Sequence, residues 1–286
     1  VVGQIQRVGV VGGGLMGSGI AEVSVRAGLD VVLSEIDENA AAAARARIQK
    51  SMDRAVGNGK LDETTRDSAL ERLNITTRLA DQADRQLVVE AVAENPEVKT
   101  SVFAELDRIV TDREAVLASN TSSIPIAKLA GATERPGNVI GIHFFNPVPV
   151  LKLVELVPSL VTTEETVRRA GEFATEQLGK QPIRAQDRAG FVVNALLVPY
   201  LLSAVRMYES GFASAEDIDN GMVLGCAHPM GPLTLADMVG LDTVVAIADS
   251  MHTEYGDPGY AAPPLLRRMV DAGLLGKKSG KGFYQY

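Results

Sequence analysis

The chain has 286 residues, 46% of them hydrophobic and 22% charged, a globular balance that excludes a disordered or fibrous protein and suits one large domain or two unequal ones. Its 28 basic and 36 acidic residues leave a net charge of -8, which argues against a general polyanion-binding surface and so against a nucleic-acid partner. The single cysteine, Cys226, excludes an intramolecular disulfide framework and a cysteine-built zinc site, and it fits a reducing cytoplasm. No metal site is expected. The longest nearly apolar run, Val192 to Val205, falls short of the roughly 20 residues a bilayer needs and contains Asn194 and Pro199, so no membrane span is expected. The N-terminal residues read as strand-like, not as a charged region followed by a signal core.

Taken in chain order, Arg7 to Val11 reads as a strand, Leu15 to Ala27 as a helix and Asp30 to Glu35 as a second strand. A long polar helix runs from about Glu38 towards Val56 and meets the turn residues Gly57-Asn58-Gly59. Further strands are expected at Asn74–Thr77, Leu87–Val92, Ala115–Ser119, Val139–His143 and Leu151–Val157. Helical stretches lie between several of them, such as Pro96 to Ile109 with proline in its first turn. Strands alternating with helices, several of them near-continuous apolar runs, predict a doubly wound, mostly parallel α/β sheet covered on both faces. The pattern changes near Gln186–Gly190. Beyond it come helices at Phe191–Tyr208, Ala215–Leu224, Leu233–Tyr255 (interrupted near Gly240) and from Pro263-Pro264 to Gly273. The chain therefore divides into residues 1–186, a Rossmann-type dinucleotide domain, and residues 187–286, a smaller all-helical domain whose apolar first helix must be buried against something.

Gly12, Gly14 and Gly17 form a G-x-G-x-x-G pattern between the first strand and the first helix. The pattern alone is weak, but in that context each glycine has a task. Gly12 permits the tight turn, Gly14 lets a pyrophosphate approach the backbone, and Gly17 lets helix and strand pack closely. The helix N-terminus, at Leu15 and Met16, supplies N–H groups and a positive dipole. Glu35 ends the second strand roughly 20 residues later, where an acid can accept from the adenosine ribose hydroxyls and repel a 2′-phosphate. This favours NAD over NADP. Asp37 is the rival for that acidic role.

Three histidines exist. His252, in a polar helical stretch, reads as a surface residue, and His228, before Pro229 in a turn, as a structural one. His143 ends an apolar strand where the carboxyl edge of such a sheet meets a ligand crevice. Glu155 lies within the apolar run Leu151–Val157, where a carboxylate is costly unless paired. Either a basic side chain pairs with it, or it holds the imidazole of His143 and fixes its tautomer, as a base for removing a hydroxyl proton requires. Asn194 sits in an apolar helix and either caps a neighbouring backbone or binds substrate. The run Ser119-Asn120-Thr121-Ser122-Ser123 either caps a helix starting around Pro125 or brings hydroxyls and an amide to the same edge. The residues themselves lead to a nicotinamide-dependent oxidoreductase.

The segments Ala118–Ser123, Gly141–Pro149, Leu153–Val157, Gly190–Asn194, His228–Pro232 and Gly276–Tyr284 resemble, in order, the signature segments of the 3-hydroxyacyl-CoA dehydrogenase family. The likeness runs from about Gln6 to Tyr286 and is nearest to the stand-alone bacterial 3-hydroxybutyryl-CoA dehydrogenases. The resemblance implies NAD-linked oxidation of an (S)-3-hydroxyacyl-CoA and the reverse reduction of acetoacetyl-CoA. It implies His143 as general acid/base, Glu155 as its orienting carboxylate, Ser122 as the hydroxyl on the substrate oxygen, and Asn194 as an amide that binds substrate between the domains. Glu94, Lys99, Asn120 and Asn146 resemble residues near the nicotinamide ribose. The family also implies a homodimer formed through the C-terminal helical domain. Arg47, Lys50 and Arg54, at helical neighbour spacing in the region where family members contact CoA, read equally as a CoA-binding stripe or a solvated helix face.

Overall fold

The computed structural model describes residues 4–286. Among them, β1 (Arg7–Val11), β2 (Asp30–Ser34), β3 (Leu73–Thr76), β4 (Leu87–Glu90), β5 (Val116–Ser119), β6 (Val139–Phe144), β7 (Leu153–Pro158) and β8 (Gln181–Arg184) form one sheet. Their order is β3-β2-β1-β4-β5-β6-β7-β8. All neighbours are parallel except β6 and β7, which run antiparallel. β4, β5 and β6 are buried at every position, as a sheet covered on both faces requires. The chain crosses from β3 at one edge to β4 beside β1, so β1 and β4 flank the point where strand order reverses and a dinucleotide crevice opens.

Among the described residues six α-helices accompany the strands: α1 (Leu15–Arg26), α2 (Glu38–Gly57), α3 (Glu63–Glu71), α4 (Pro96–Ile109), α5 (Ile126–Ala130) and α6 (Glu164–Glu172). Side-chain caps mark where several begin. Asp37 accepts from Ala40 N, Asp62 from Thr65 N, Asn95 from Glu97 N and Val98 N, and Thr163 from Thr166 N. The core of this unit joins Ile20 and Val25 of α1, Ile48 and Met52 of α2, and the inward residues of β1, β2, β4 and β6. The sequence predicts no strand at Gln181–Arg184 and starts the seventh strand at Leu151, where the structure starts it at Leu153. Pro182 and the charged flank give β8 the character of an edge strand, and its partly exposed residues carry no apolar run to read.

The chain separates into two units, one ending at Asp187 and the other spanning Arg188–Tyr286. The second is helical: α7 (Val193–Glu209), α8 (Ala215–Cys226), α9 (Pro232–Val239), α10 (Leu241–Tyr255) and α11 (Pro264–Asp271). Val198, Leu201, Leu202 and Val205 of α7 pack with Leu233, Leu241, Val244 and Met251 into a core of its own. Gly240, at φ +100°, breaks α9 from α10 where an L side chain would be strained. After α11 the tail is drawn back by buried Asp237, which accepts from Phe283 N at 3.0 Å and Tyr284 N at 2.9 Å.

Candidate active site

At the end of β1 the backbone turns through Gly12, at φ +89°, and a Cβ on Gly17 would strike the Gly12 carbonyl oxygen. Both positions therefore require glycine. Around Gly14 nothing lies within 4 Å of an added Cβ, so the backbone there is open to a close-lying group. α1 starts at Leu15 and Met16 with no side-chain cap and no acid in its first turn, leaving its N-terminal donors and dipole to an anion. Gly13 is held at both ends. Its N–H donates to Glu35 Oε1 at 2.6 Å, and its carbonyl accepts from Ser18 Oγ at 2.7 Å and Arg47 Nη1 at 2.5 Å. Glu35 thus stands at the turn with its carboxylate, while Asp37 is committed to capping α2. An open glycine backbone, an uncapped helix start and an acid beyond the next strand together fit the adenosine and pyrophosphate parts of NAD.

Arg47 is drawn into this turn, where it also reaches Ser18 Oγ at 3.2 Å. Lys50 and Arg54 lie exposed on α2. The expected basic stripe is therefore divided: one of its three members has its guanidinium on the glycine turn.

β6 and β7 bring His143 and Glu155 together. Their antiparallel register sets His143 directly opposite Glu155, so both side chains stand on one face of the sheet. His143 Nδ1 lies 2.7 Å from Glu155 Oε2. Glu155 is fully buried and His143 only 7% exposed, so the contact operates with little screening. A carboxylate acceptor assigns the proton to Nδ1 in the neutral ring and the lone pair to Nε2. The Phe145 ring tilts against the imidazole at 4.6 Å between centroids. Of the two partners left open for Glu155 by the sequence, the structure brings it the imidazole.

Beside the pair, β4 and β5 end in a polar network that runs from buried Glu90 out to the exposed Glu94. Glu90 Oε1 accepts from Lys99 Nζ and Val92 N, each at 2.7 Å, and Oε2 accepts from Ser119 Oγ at 2.7 Å. Glu90 is fully buried and Lys99 is 1% exposed. Lys99 Nζ also lies 3.3 Å from Glu94 Oε2. Glu94 Oε1 in turn accepts from Thr121 Oγ1 at 2.5 Å and Ser122 N at 3.0 Å, with Ser122 Oγ at 3.4 Å. Asn120 Oδ1 accepts from Phe144 N at 2.9 Å, fastening the end of β5 next to His143. Asn146 lies exposed in the loop after β6. Sequence reading missed Glu90 and did not single Thr121 out of its run. The signal for Glu90 was the one used for Glu155, an acid closing an otherwise apolar strand, Leu87-Val88-Val89-Glu90.

Ser119 serves Glu90, while α5 receives its N-terminal cap from Asp187, whose carboxylate accepts from Ile126 N at 2.7 Å and Ala127 N at 2.8 Å. Capping of that helix is thus not the work of the serine run. In the second unit Asn194 is buried at the start of α7. His228 Nδ1 meets Tyr200 OH at 3.2 Å, and His252 is exposed on α10. Asp219 accepts from Leu233 N, Thr234 N and Tyr284 OH, so the first turn of α9 and the C-terminal segment are joined through one carboxylate.

Comparison with known proteins agrees with this geometry. Residues 7–188 match the family described as 3-hydroxyacyl-CoA dehydrogenase, NAD binding domain, and residues 190–286 match 3-hydroxyacyl-CoA dehydrogenase, C-terminal domain. A 3-hydroxybutyryl-CoA dehydrogenase of Mycobacterium tuberculosis is 63% identical over 99% of each chain. The human mitochondrial hydroxyacyl-coenzyme A dehydrogenase is 42% identical over 99% of this chain and 91% of its own. Among solved structures, that of M. tuberculosis FadB2 superposes with a TM-score of 0.98 at 63% identity, covering 99% of this chain and 100% of the other. (S)-3-hydroxybutyryl-CoA dehydrogenase PaaH1 of Ralstonia eutropha gives 0.93 at 44% identity, covering 99% of each.

Proposed function

The chain belongs to the 3-hydroxyacyl-CoA dehydrogenase family, and from that premise we propose that it interconverts (S)-3-hydroxyacyl-CoA, 3-hydroxybutyryl-CoA foremost, with the 3-oxoacyl-CoA. The observation that carries this reading is the buried His143–Glu155 contact at 2.7 Å at the carboxyl edge of an NAD-type sheet. Bound NAD supplies the two-electron acceptor for the hydrogen that leaves C3.

In this mechanism His143 Nε2 takes the proton of the 3-hydroxyl as the carbonyl forms, because Nδ1 is committed to Glu155. Glu155 holds the ring in one tautomer and balances the imidazolium once it forms. In the reductive direction the same Nε2 returns the proton. Ser122 donates its hydroxyl to the C3 oxygen in both directions, and Asn194 hydrogen-bonds the substrate. Gly12, Gly14, Leu15, Met16, Gly17 and Glu35 hold the adenosine and pyrophosphate half of the cofactor, with Glu94, Lys99, Asn120 and Asn146 towards its nicotinamide ribose. Lys99 acts there from beneath, through Glu94, because its ammonium is buried.

Residues 1–186 are the cofactor domain in this reading, and residues 187–286 the substrate and dimerisation domain. Leu196, Phe212 and Leu224 support the homodimer, being large apolar side chains left more than 70% exposed on the second unit. Lys50 and Arg54 are the exposed cations on α2 offered to the phosphates of CoA, with Arg47 adjoining from the turn. A cytoplasmic setting suits the single, exposed thiol of Cys226. Mixing the protein with acetoacetyl-CoA and NADH and following the loss of NADH absorbance tests the activity. Absence of decay with both NADH and NADPH would remove the reading.

A further inference from the structure

We propose that Thr121 is a positioning residue for the reaction: its hydroxyl occupies Glu94 Oε1 and so keeps the Ser122 hydroxyl for the substrate oxygen. The inference rests on the role given to Ser122 above and adds a device that secures it.

Thr121 is fully buried, two residues past the end of β5. Its Oγ1 accepts from Ser123 N at 3.2 Å and from Ile124 N at 2.9 Å. A hydroxyl has two acceptor positions and a single proton. With both acceptor positions filled by backbone N–H groups, that proton has one direction left, and Glu94 Oε1 lies along it at 2.5 Å. The polarity of the Thr121–Glu94 bond is thereby fixed.

Glu94 Oε1 has two lone-pair directions, and Thr121 Oγ1 and Ser122 N at 3.0 Å fill them. Glu94 Oε2 faces Lys99 Nζ at 3.3 Å. The hydroxyls of Ser122 and Ser123 reach Oε1 only at 3.4 and 3.5 Å, the outer limit of a hydrogen bond. Ser122 Oγ therefore stands next to a carboxylate oxygen, Glu94 Oε1, that has no strong acceptor position left for it, and its proton goes to a substrate oxygen when one arrives. Without the Thr121 proton, Oε1 regains a lone pair beside Ser122 Oγ. A hydrogen bond to an ionised carboxylate is about twice as strong as one to a neutral carbonyl, so the serine would turn to Glu94 and be lost to the substrate.

The test is a double-mutant cycle. Thr121→Val removes the hydroxyl at nearly constant shape, Thr121→Ser keeps it, and each is compared with Ser122→Ala and with Thr121→Val/Ser122→Ala. Turnover of acetoacetyl-CoA at saturating NADH, NADH affinity by fluorescence and the melting temperature are measured for every protein. Thr121→Val is expected to lower kcat roughly tenfold with NADH affinity kept, and Thr121→Ser to restore it. In the Ser122→Ala background the same Thr121→Val change should cost less than about twofold, because coupled residues are non-additive. An equal loss in both backgrounds, or no loss in either, overturns the proposal while leaving the role of Ser122 intact. If Ser122→Ala alone leaves kcat unchanged, the role of Ser122 fails and this inference with it. Should Thr121→Val not fold, Thr121→Cys, whose thiol is a weak donor, takes its place with the same pattern expected.

Discussion

Glu35 and Arg47 grip opposite ends of one residue: the carboxylate takes the N–H of Gly13 at 2.6 Å, and the guanidinium takes its carbonyl at 2.5 Å. The two grips predict different phenotypes. Glu35→Ser removes the acid proposed for the ribose, so NADH affinity should fall roughly 10- to 100-fold, the worth of a hydrogen bond to a charged group, while NADPH loses less. Arg47→Met should weaken both cofactors alike, because it loosens the turn without touching the group that distinguishes them. Fluorescence titration of each variant with NADH and NADPH separates the two patterns.

His143→Ala should lower kcat by roughly 10²- to 10⁴-fold, the range of general acid–base catalysis, and leave NADH binding intact. Glu155→Gln retains shape but cannot balance an imidazolium, so it should fall in the same direction by a smaller factor. Stopped-flow turnover with an NADH titration on the same samples checks both. A His143→Ala protein with most of its activity would remove the imidazole from the mechanism.

The Glu90–Lys99 pair is buried, so breaking it from one side leaves a lone charge in the interior. Lys99→Met should destabilise the protein by about 3–5 kcal/mol, whereas the double change Glu90→Gln/Lys99→Met should recover much of that loss. Thermal melts of the two single variants and the double variant decide it. A double variant less stable than either single one would contradict the argument.

Two carboxylates should respond to pH with opposite sign. Burial raises the Asp107 carboxyl, but the Glu134 N–H and the Arg135 and Arg113 guanidiniums outweigh it and hold the group below the ordinary range. Its contribution is therefore present above pH ~4 and lost as pH falls through the lowered folded value, so Asp107→Asn should destabilise at pH 7 and converge on wild type in acid. Glu22 is raised, because burial outweighs the hydrogen bond from Ser51 and the charge of Arg26. Its ionisation costs stability once pH climbs above ~4.3 towards the raised folded value, and nothing below it. Glu22→Gln should accordingly leave acid stability unchanged and hold or raise stability at pH 7. Denaturant melts between pH 3 and pH 7 test both signs.

What the sequence disclosed follows from where the information resides. β1, β4, β5 and β6 declare themselves because a strand covered on both faces must be apolar throughout, and Glu155 stands out against just such a background. Lys99 was legible only through the family likeness. On α4 it follows Glu97 and reads as a solvated helix face until β4 is brought against it, and its partner Glu90 precedes it by a strand end and a loop. Arg47 poses the same problem in reverse, since helical spacing groups it with Lys50 and Arg54 whereas the approach of α2 to the glycine turn takes it elsewhere. Thr121, one hydroxyl in a run of four Ser and Thr residues around Asn120, gains its distinct part only from which backbone N–H groups point at it.

The single reversal of direction in the sheet, between β6 and β7, determines what kind of change the His143–Glu155 pair withstands. His143 and Glu155 face each other because of ladder register, and the connecting residues 145–152 do not set their separation. Changes in the length or composition of that connection should leave the pair assembled as long as both strands keep their pairing. A one-residue deletion inside β7 beyond Glu155, at Leu156 for example, would instead exchange inward and outward positions and carry the residues ahead of it, Glu155 included, to the opposite face. The pair is thus inherited as a unit of two strands, tolerant of a redesigned connection and intolerant of a frame shift of one.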